Sequence, residues 1–134
     1  MNKAERIEFV ISEFRKADIT IDENQADKFV RLCDFMVEYN ENVNLTSITE
    51  FSEVVVKHFV DSVLPFTMVD IPQGSSFIDV GTGAGFPAIP LLICRPDLKG
   101  TLCDSLNKRC VYLEKACELI GVKSEIIHAR SEEL

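Results

Sequence analysis

At 134 residues the chain is long enough for one domain with a hydrophobic core, and 46% hydrophobic with 27% charged residues is an ordinary soluble composition. A formal net charge of −8 and an isoelectric point near 4.7 speak against a broad nucleic-acid-binding surface, and no apolar run approaches the ~18 residues of a membrane span. The start, "MNKAERIEF", lacks the apolar stretch of a signal peptide, and five cysteines without a C-x-x-C pair favour neither a disulfide framework nor a metal site. The expectation is a cytoplasmic protein, with no membrane and no metal, whose thiols are reduced and mostly buried.

The acidity is uneven. Residues 1–73 hold 7 basic and 14 acidic side chains, whereas 74–134 hold 7 and 8. In chain order, Ala4, Ile7, Ile11 and Phe14 recur at helical spacing and predict an amphipathic helix over 3–17. "TIDENQ" (20–25) offers caps and early acids for a second helix, whose apolar face is Ala26, Phe29, Val30, Cys33, Met36 and Val37. "NENVNLT" (40–46) is a polar break. Phe51, Val54, Val55, His58, Phe59, Ser62 and Val63 mark a third helix, stopped near Pro65.

At Pro72 the pattern changes. "SFIDVG" (76–81), "GTLCDS" (100–105) and "SEIIHA" (124–129) read as short apolar strands. Between them lie a helix over 87–94 and another marked by Cys110, Val111, Leu113, Cys117 and Ile120, which Gly121 closes. Strand, helix, strand, helix, strand is the parallel α/β order with right-handed crossovers. The organisation expected is a helical segment, 1–70, followed by an α/β half-fold, 71–134.

Ligands of open parallel sheets sit beyond the carboxyl ends of the strands, which is where Gly81, Gly83 and Gly85 fall. Glycines there permit a tight turn and close backbone approach. "GAGFPA" (83–88) fits the dinucleotide pattern G-x-G-x-x-G/A, and Asp104 stands 19 residues after Gly85, near the position of a ribose-binding acid. A pyrophosphate, however, needs backbone N–H donors at the helix start. Pro87 and Pro90 remove two of them; Pro87 suits the first helical position. S-adenosylmethionine carries no phosphate. Asp79 can meet its ammonium, and Asp104 can accept from both ribose hydroxyls. The pattern favours S-adenosylmethionine over NAD.

Five stretches then carry a resemblance: "NLTSI" (44–48), "VKHFVDSV" (56–63), "FIDVGTGAGFPAIPL" (77–91), "LCDSLNKRCVYL" (102–113) and "HARSEE" (128–133). In this order, and across the whole chain, they resemble the RsmG/GidB family of bacterial small-subunit (16S) ribosomal RNA guanine-N7 methyltransferases. The resemblance implies a Rossmann-like class I methyltransferase fold, with Phe86 and the Ser131–Glu132 region beside the glycine loop around S-adenosylmethionine. It implies 16S ribosomal RNA in the small ribosomal subunit as partner. Family members usually carry glycine where this chain has Ala88, a position that needs only a small residue. Guanine N7 has a free lone pair and needs no general base, so orientation is the main effect expected; no catalytic residue is assigned.

Other residues have plainer readings. His58, Asp61 and Ser62 lie on one helix and cannot line up as a hydrolase triad. Lys57 and Asp61 form an i, i+4 pair, most simply a salt bridge. Lys108 and Arg109 are candidates for RNA phosphates or for a solvated helix start. His128, at a strand end, suits packing or hydrogen bonding.

The family sheet implied by the resemblance has about seven strands, ordered 3-2-1-4-5-7-6, of which only 3, 2 and 1 are accounted for. The expectation is therefore a C-terminally truncated chain with an incomplete sheet and an open edge on the first strand, which invites strand pairing. An inactive fragment that self-associates, through an edge-strand dimer, is the alternative to the methyltransferase; an NAD-binding oxidoreductase is the third reading.

Overall fold

The first two helices begin where the sequence supplies their caps. In the computed structural model, which describes residues 1–134, Asn2 caps α1 (Lys3–Lys16) and Asp22 caps α2 (Glu23–Tyr39). Each is a reciprocal capping box: Glu5 N donates to Asn2 Oδ1 at 2.9 Å, and Gln25 N donates to Asp22 Oδ1 at 2.8 Å, with both side chains at the third helical position answering. α1 buries Val10 and Phe14, while Ile7 and Ile11 are half-buried and Ala4 is exposed. On α2 the predicted Ala26, Phe29, Val30, Cys33 and Met36 are buried, Leu32 joins them, and Val37 is half-buried.

The third helix, α3 (51–63), departs from the simple pattern. Val55–Val60 forms a π-turn between α-helical Phe51–Val54 and Asp61–Val63. The α-helix stops at Val63, near Pro65 as expected, and a 3₁₀ turn, Leu64–Thr67, takes Pro65 at its start, where no N–H is needed. Lys57 does not pair with Asp61. It bonds Glu53 at 2.9 Å, the favoured order with the acid N-terminal to the base.

Three strands follow: β1 (Ser76–Val80), β2 (Lys99–Asp104) and β3 (Glu125–His128), parallel and in the order β1-β2-β3. α4 (Ala88–Cys94) connects β1 to β2, and α5 (Asn107–Ile120) connects β2 to β3. α5 ends on Gly121 in the left-handed region, φ 70°. This is the α/β, incomplete-sheet architecture read from the sequence. The register pairs Val80 with Cys103 and Asp104 with His128, so the carboxyl ends of the strands come together at one rim.

One hydrophobic cluster of 28 buried residues runs through the helical segment and the α/β segment. α2 packs on α1, α4 and α5. A line of rings crosses the cluster: Phe14 to Phe29 at 4.9 Å, Phe29 to Phe59 at 4.9 Å and Phe59 to Phe86 at 6.0 Å. It reaches from α1 to the loop after β1. The outer flank of β1 has no strand partner, and Ile78 and Val80 on its far face are 51% and 48% exposed. No helix is long and apolar enough to cross a membrane.

Candidate cofactor site

The loop after β1 is held from both sides by carboxylates at strand ends. Gly81 N and Thr82 N donate to Cys103 O at 2.8 and 3.0 Å, prolonging the β1–β2 ladder. The chain then turns through Gly81, Gly83 and Gly85, with φ of 69°, 61° and 94°. Thr82 Oγ1 and Ala88 N donate to Asp79 Oδ2 at 2.8 and 3.3 Å. Gly83 N donates to Asp104 Oδ2 at 2.9 Å, and Leu106 N to Asp104 Oδ1 at 3.0 Å. Asp104 is buried, with Arg109 Nη1 at 3.8 Å. Burial pushes the Asp79 carboxyl above the usual carboxylate range, against the bonds from Thr82 and Ala88.

The three glycines differ. A Cβ on Gly81 or Gly83 would meet open space, whereas one on Gly85 would strike the Ile89 side chain and come within 3.0 Å of Leu113. Gly81 and Gly83 thus form a bare backbone shelf, and Gly85 lets the loop seat against α4 and α5. Pro87 is not the first residue of α4, as its spacing suggested, but the residue before it, with a cis Phe86–Pro87 bond. Pro90 is the third residue of α4, where an N–H has no intrahelical partner in any case. The earliest helical donor, Ala88 N, is taken by Asp79.

Beyond the carboxyl ends of the strands a cavity of about 310 Å³ is lined by Val80, Gly81, Ser105, Ala129, Arg130, Ser131 and Glu132. It brings Gly81, Ser131 and Glu132 together; Ser131 and Glu132 lie exposed in a short 3₁₀ turn. Ser105 and Arg130 are additions that sequence reasoning missed, although Arg130 sits inside the quoted "HARSEE". Phe86 is half-buried and stacks on His58, centroids 4.7 Å apart, with Phe59 edge-on. Asp79 faces a separate apolar cavity of about 170 Å³, with Phe66, Phe77, Pro87 and Leu91 on its wall.

The remaining candidates fall into place. His58 Nε2 bonds Thr46 Oγ1 at 2.7 Å, and Ser62 Oγ donates to the His58 carbonyl rather than to its ring, so no triad forms. Arg109 is tied to the protein on one side while part of its side chain meets solvent. It is half-buried, and its Nη2 donates to Asn44 O at 3.4 Å. Lys108 is exposed. His128 Nε2 bonds Ser105 O at 2.9 Å. All five cysteines are free, four of them buried, and burial pushes the Cys33 and Cys94 thiols up to about 12.

A parallel sheet with a glycine loop on its first strand, an acid ending its second and a cavity over the strand ends is the arrangement of a partial Rossmann-like fold. The profile of the GidB family, described as rRNA small subunit methyltransferase G, matches residues 25–134. Proteins named ribosomal RNA small subunit methyltransferase G are similar throughout: 40% identical over 127 residues in Staphylococcus carnosus and 43% over 127 in Bacillus subtilis, each alignment covering 94% of this chain and 53% of the relative. The one from Alkaliphilus metalliredigens is 46% identical over 114 residues, or 84% of this chain and 48% of the relative. The chain belongs to this methyltransferase family, and it spans about half the length of these relatives.

Proposed function

We propose that the chain holds S-adenosylmethionine for methyl transfer to N7 of a guanine in 16S ribosomal RNA of the small ribosomal subunit, in the cytoplasm. The observation that carries this reading is how the loop spends its donors. Gly83 N is given to Asp104, Ala88 N to Asp79, and positions 87 and 90 have none. A pyrophosphate would find no row of N–H groups, whereas a phosphate-free cofactor needs only the open shelf over Gly81 and Gly83.

The residues fit the group chemically. Asp79 Oδ1 accepts no bond within the chain and is available to an ammonium. Each Asp104 oxygen accepts one backbone N–H and keeps acceptor capacity for ribose hydroxyls. Gly85 and Phe86 support the glycine loop from behind, against Ile89 and His58, and Ser131 and Glu132 line the cavity where adenine would lie. When bound, S-adenosylmethionine supplies an activated methyl group. Guanine N7 brings its own lone pair, so the chain's task is orientation and the exclusion of water. The two segments, 1–70 and 71–134, take the parts of helical support and cofactor half.

Calorimetric titration with S-adenosylmethionine and, separately, NAD tests this, on the 134-residue chain and on a version extended to the relatives' length. Binding of S-adenosylmethionine alone is expected, tighter to the long version. Binding of NAD with no response to S-adenosylmethionine would replace the methyltransferase by the oxidoreductase. A second reading, a non-catalytic chain that self-associates, rests on the unpaired β1 edge beside exposed Ile78 and Val80 alone. Sedimentation velocity would show a concentration-dependent dimer, lost in Ile78→Lys.

A further inference from the structure

The polar break after α2 is tied to the cofactor loop by bonds that the methyltransferase reading does not use. Asn40 Oδ1 accepts from Leu45 N at 2.8 Å and from Thr46 N at 3.0 Å, folding the break back on the end of α2. This presents Thr46 Oγ1, which accepts from Ile48 N at 3.0 Å and meets His58 Nε2 at 2.7 Å. The hydroxyl has a fixed acceptor duty to Ile48, and its bond to the ring forms with either neutral tautomer. His58 in turn lies flat on Phe86, 4.7 Å between centroids and 21° between planes. The ring reaches this position from the π-turn of α3, an irregularity that π-turns often place at functional sites. On the other side of the site, Asn44 O takes the Arg109 guanidinium that stands over Asp104.

We infer that Thr46 and His58 are positioning residues of the cofactor site, holding Phe86 and through it the glycine loop, without touching the cofactor themselves. The inference rests on the cofactor reading for its purpose, but the coupling it asserts is a property of the chain. Two features agree with it. His58 is half-buried, and burial lowers its pKa while Asp61 opposes the shift, so the ring enters the stack as an uncharged imidazole at neutral pH. Phe86 makes no aromatic contact except to His58 and Phe59, both on α3. α3 therefore supplies every aromatic contact of Phe86, and Thr46 bonds the ring that makes the stacked one.

The test uses Thr46→Val, which keeps the shape and deletes the hydroxyl, and Thr46→Ser, which restores it. In nitrogen-resolved spectra of the two histidines, assigned with His128→Asn, the Nε2 signal of His58 should shift in Thr46→Val, which removes its hydrogen-bond partner, and return in Thr46→Ser. Backbone amide signals of residues 83–86 should move in Thr46→Val and return in Thr46→Ser. S-adenosylhomocysteine should bind Thr46→Val about two- to tenfold more weakly, the worth of one hydrogen bond. Shifts confined to residues 44–48 and His58, with affinity unchanged, would overturn the inference, even if the melting temperature fell. If the unaltered chain binds neither S-adenosylmethionine nor S-adenosylhomocysteine, the cofactor reading fails, and the 83–86 signals decide the coupling by themselves.

Discussion

Alanine at Gly85 and alanine at Gly83 should fail in different ways. Both residues have positive φ, 94° and 61°, which costs an L-residue about 1–2 kcal/mol. Alanine also stiffens the unfolded chain, returning about 0.4–1 kcal/mol. At Gly83 nothing else follows, because the new Cβ meets open space, so the net loss is about 1 kcal/mol. At Gly85 the Cβ collides with Ile89 and presses on Leu113 at 3.0 Å, and overpacking adds about 1–3 kcal/mol. Gly85→Ala should therefore lose about 2–4 kcal/mol, a large part of the stability of an ordinary domain. At roughly 4 °C per kcal/mol, melting should fall by about 8–16 °C for Gly85→Ala and by about 4 °C for Gly83→Ala. Urea denaturation gives the free energies. The order should reverse in calorimetry with S-adenosylhomocysteine, where Gly83→Ala obstructs the shelf directly. Adding Ile89→Ala should soften the penalty of Gly85→Ala, a positive coupling in a double-mutant cycle. Equal melting losses at the two glycines, or no coupling to Ile89, would refute the division of labour drawn from the loop.

Asp104→Asn replaces one of two acceptors for backbone N–H groups by a donor; urea denaturation should show a loss of about 1–3 kcal/mol, and unchanged stability and cofactor affinity would remove Asp104 from both roles. The Asp79 carboxyl is raised above its ordinary value by burial, so between the two values the native state keeps a proton the unfolded chain has released. Stability should then fall as pH climbs through that window above the ordinary carboxylate range; Asp79→Asn should flatten this part of the melting profile, and parallel curves would contradict it. Thiol titration near pH 8 should find the native chain slow to react, because four cysteines are buried and the thiols of Cys33 and Cys94 are pushed up to about 12, while all five react in denaturant; fast labelling of the native chain would show the packing to be looser than described.

Elements that declare themselves through neighbours in sequence were legible without coordinates. The caps within "TIDENQ" and Gly121 after Ile120 are local signals, and α2 begins and α5 ends on them. β1 ends just before Gly81 and β2 ends on Asp104. What was hidden depends on direction in space. Equal spacing of Gly81, Gly83 and Gly85 says nothing about which Cβ would face a void and which a wall. The π-turn at Val55–Val60 has no composition of its own, and it alters which groups α3 presents. Arg109 looked like a surface charge because its partner, Asn44 O, lies 65 residues away. The cavity residues Ser131 and Glu132 came from family resemblance, since a polar chain end carries no periodic signal.

The line of rings from Phe14 to Phe86 has a consequence for where this chain can be cut. A piece begun at residue 71 would keep all three strands, both crossover helices and the whole glycine loop. It would also strip His58 and Phe59 from Phe86, and α2 from α4 and α5. The apolar side of those helices would lie in water, and the loop would lose its wall. By secondary structure the break at Pro72 is a natural boundary; by packing it runs through the middle of the core. The smallest piece that keeps the shelf in shape therefore has to begin ahead of α2, about sixty residues before the first glycine of the shelf.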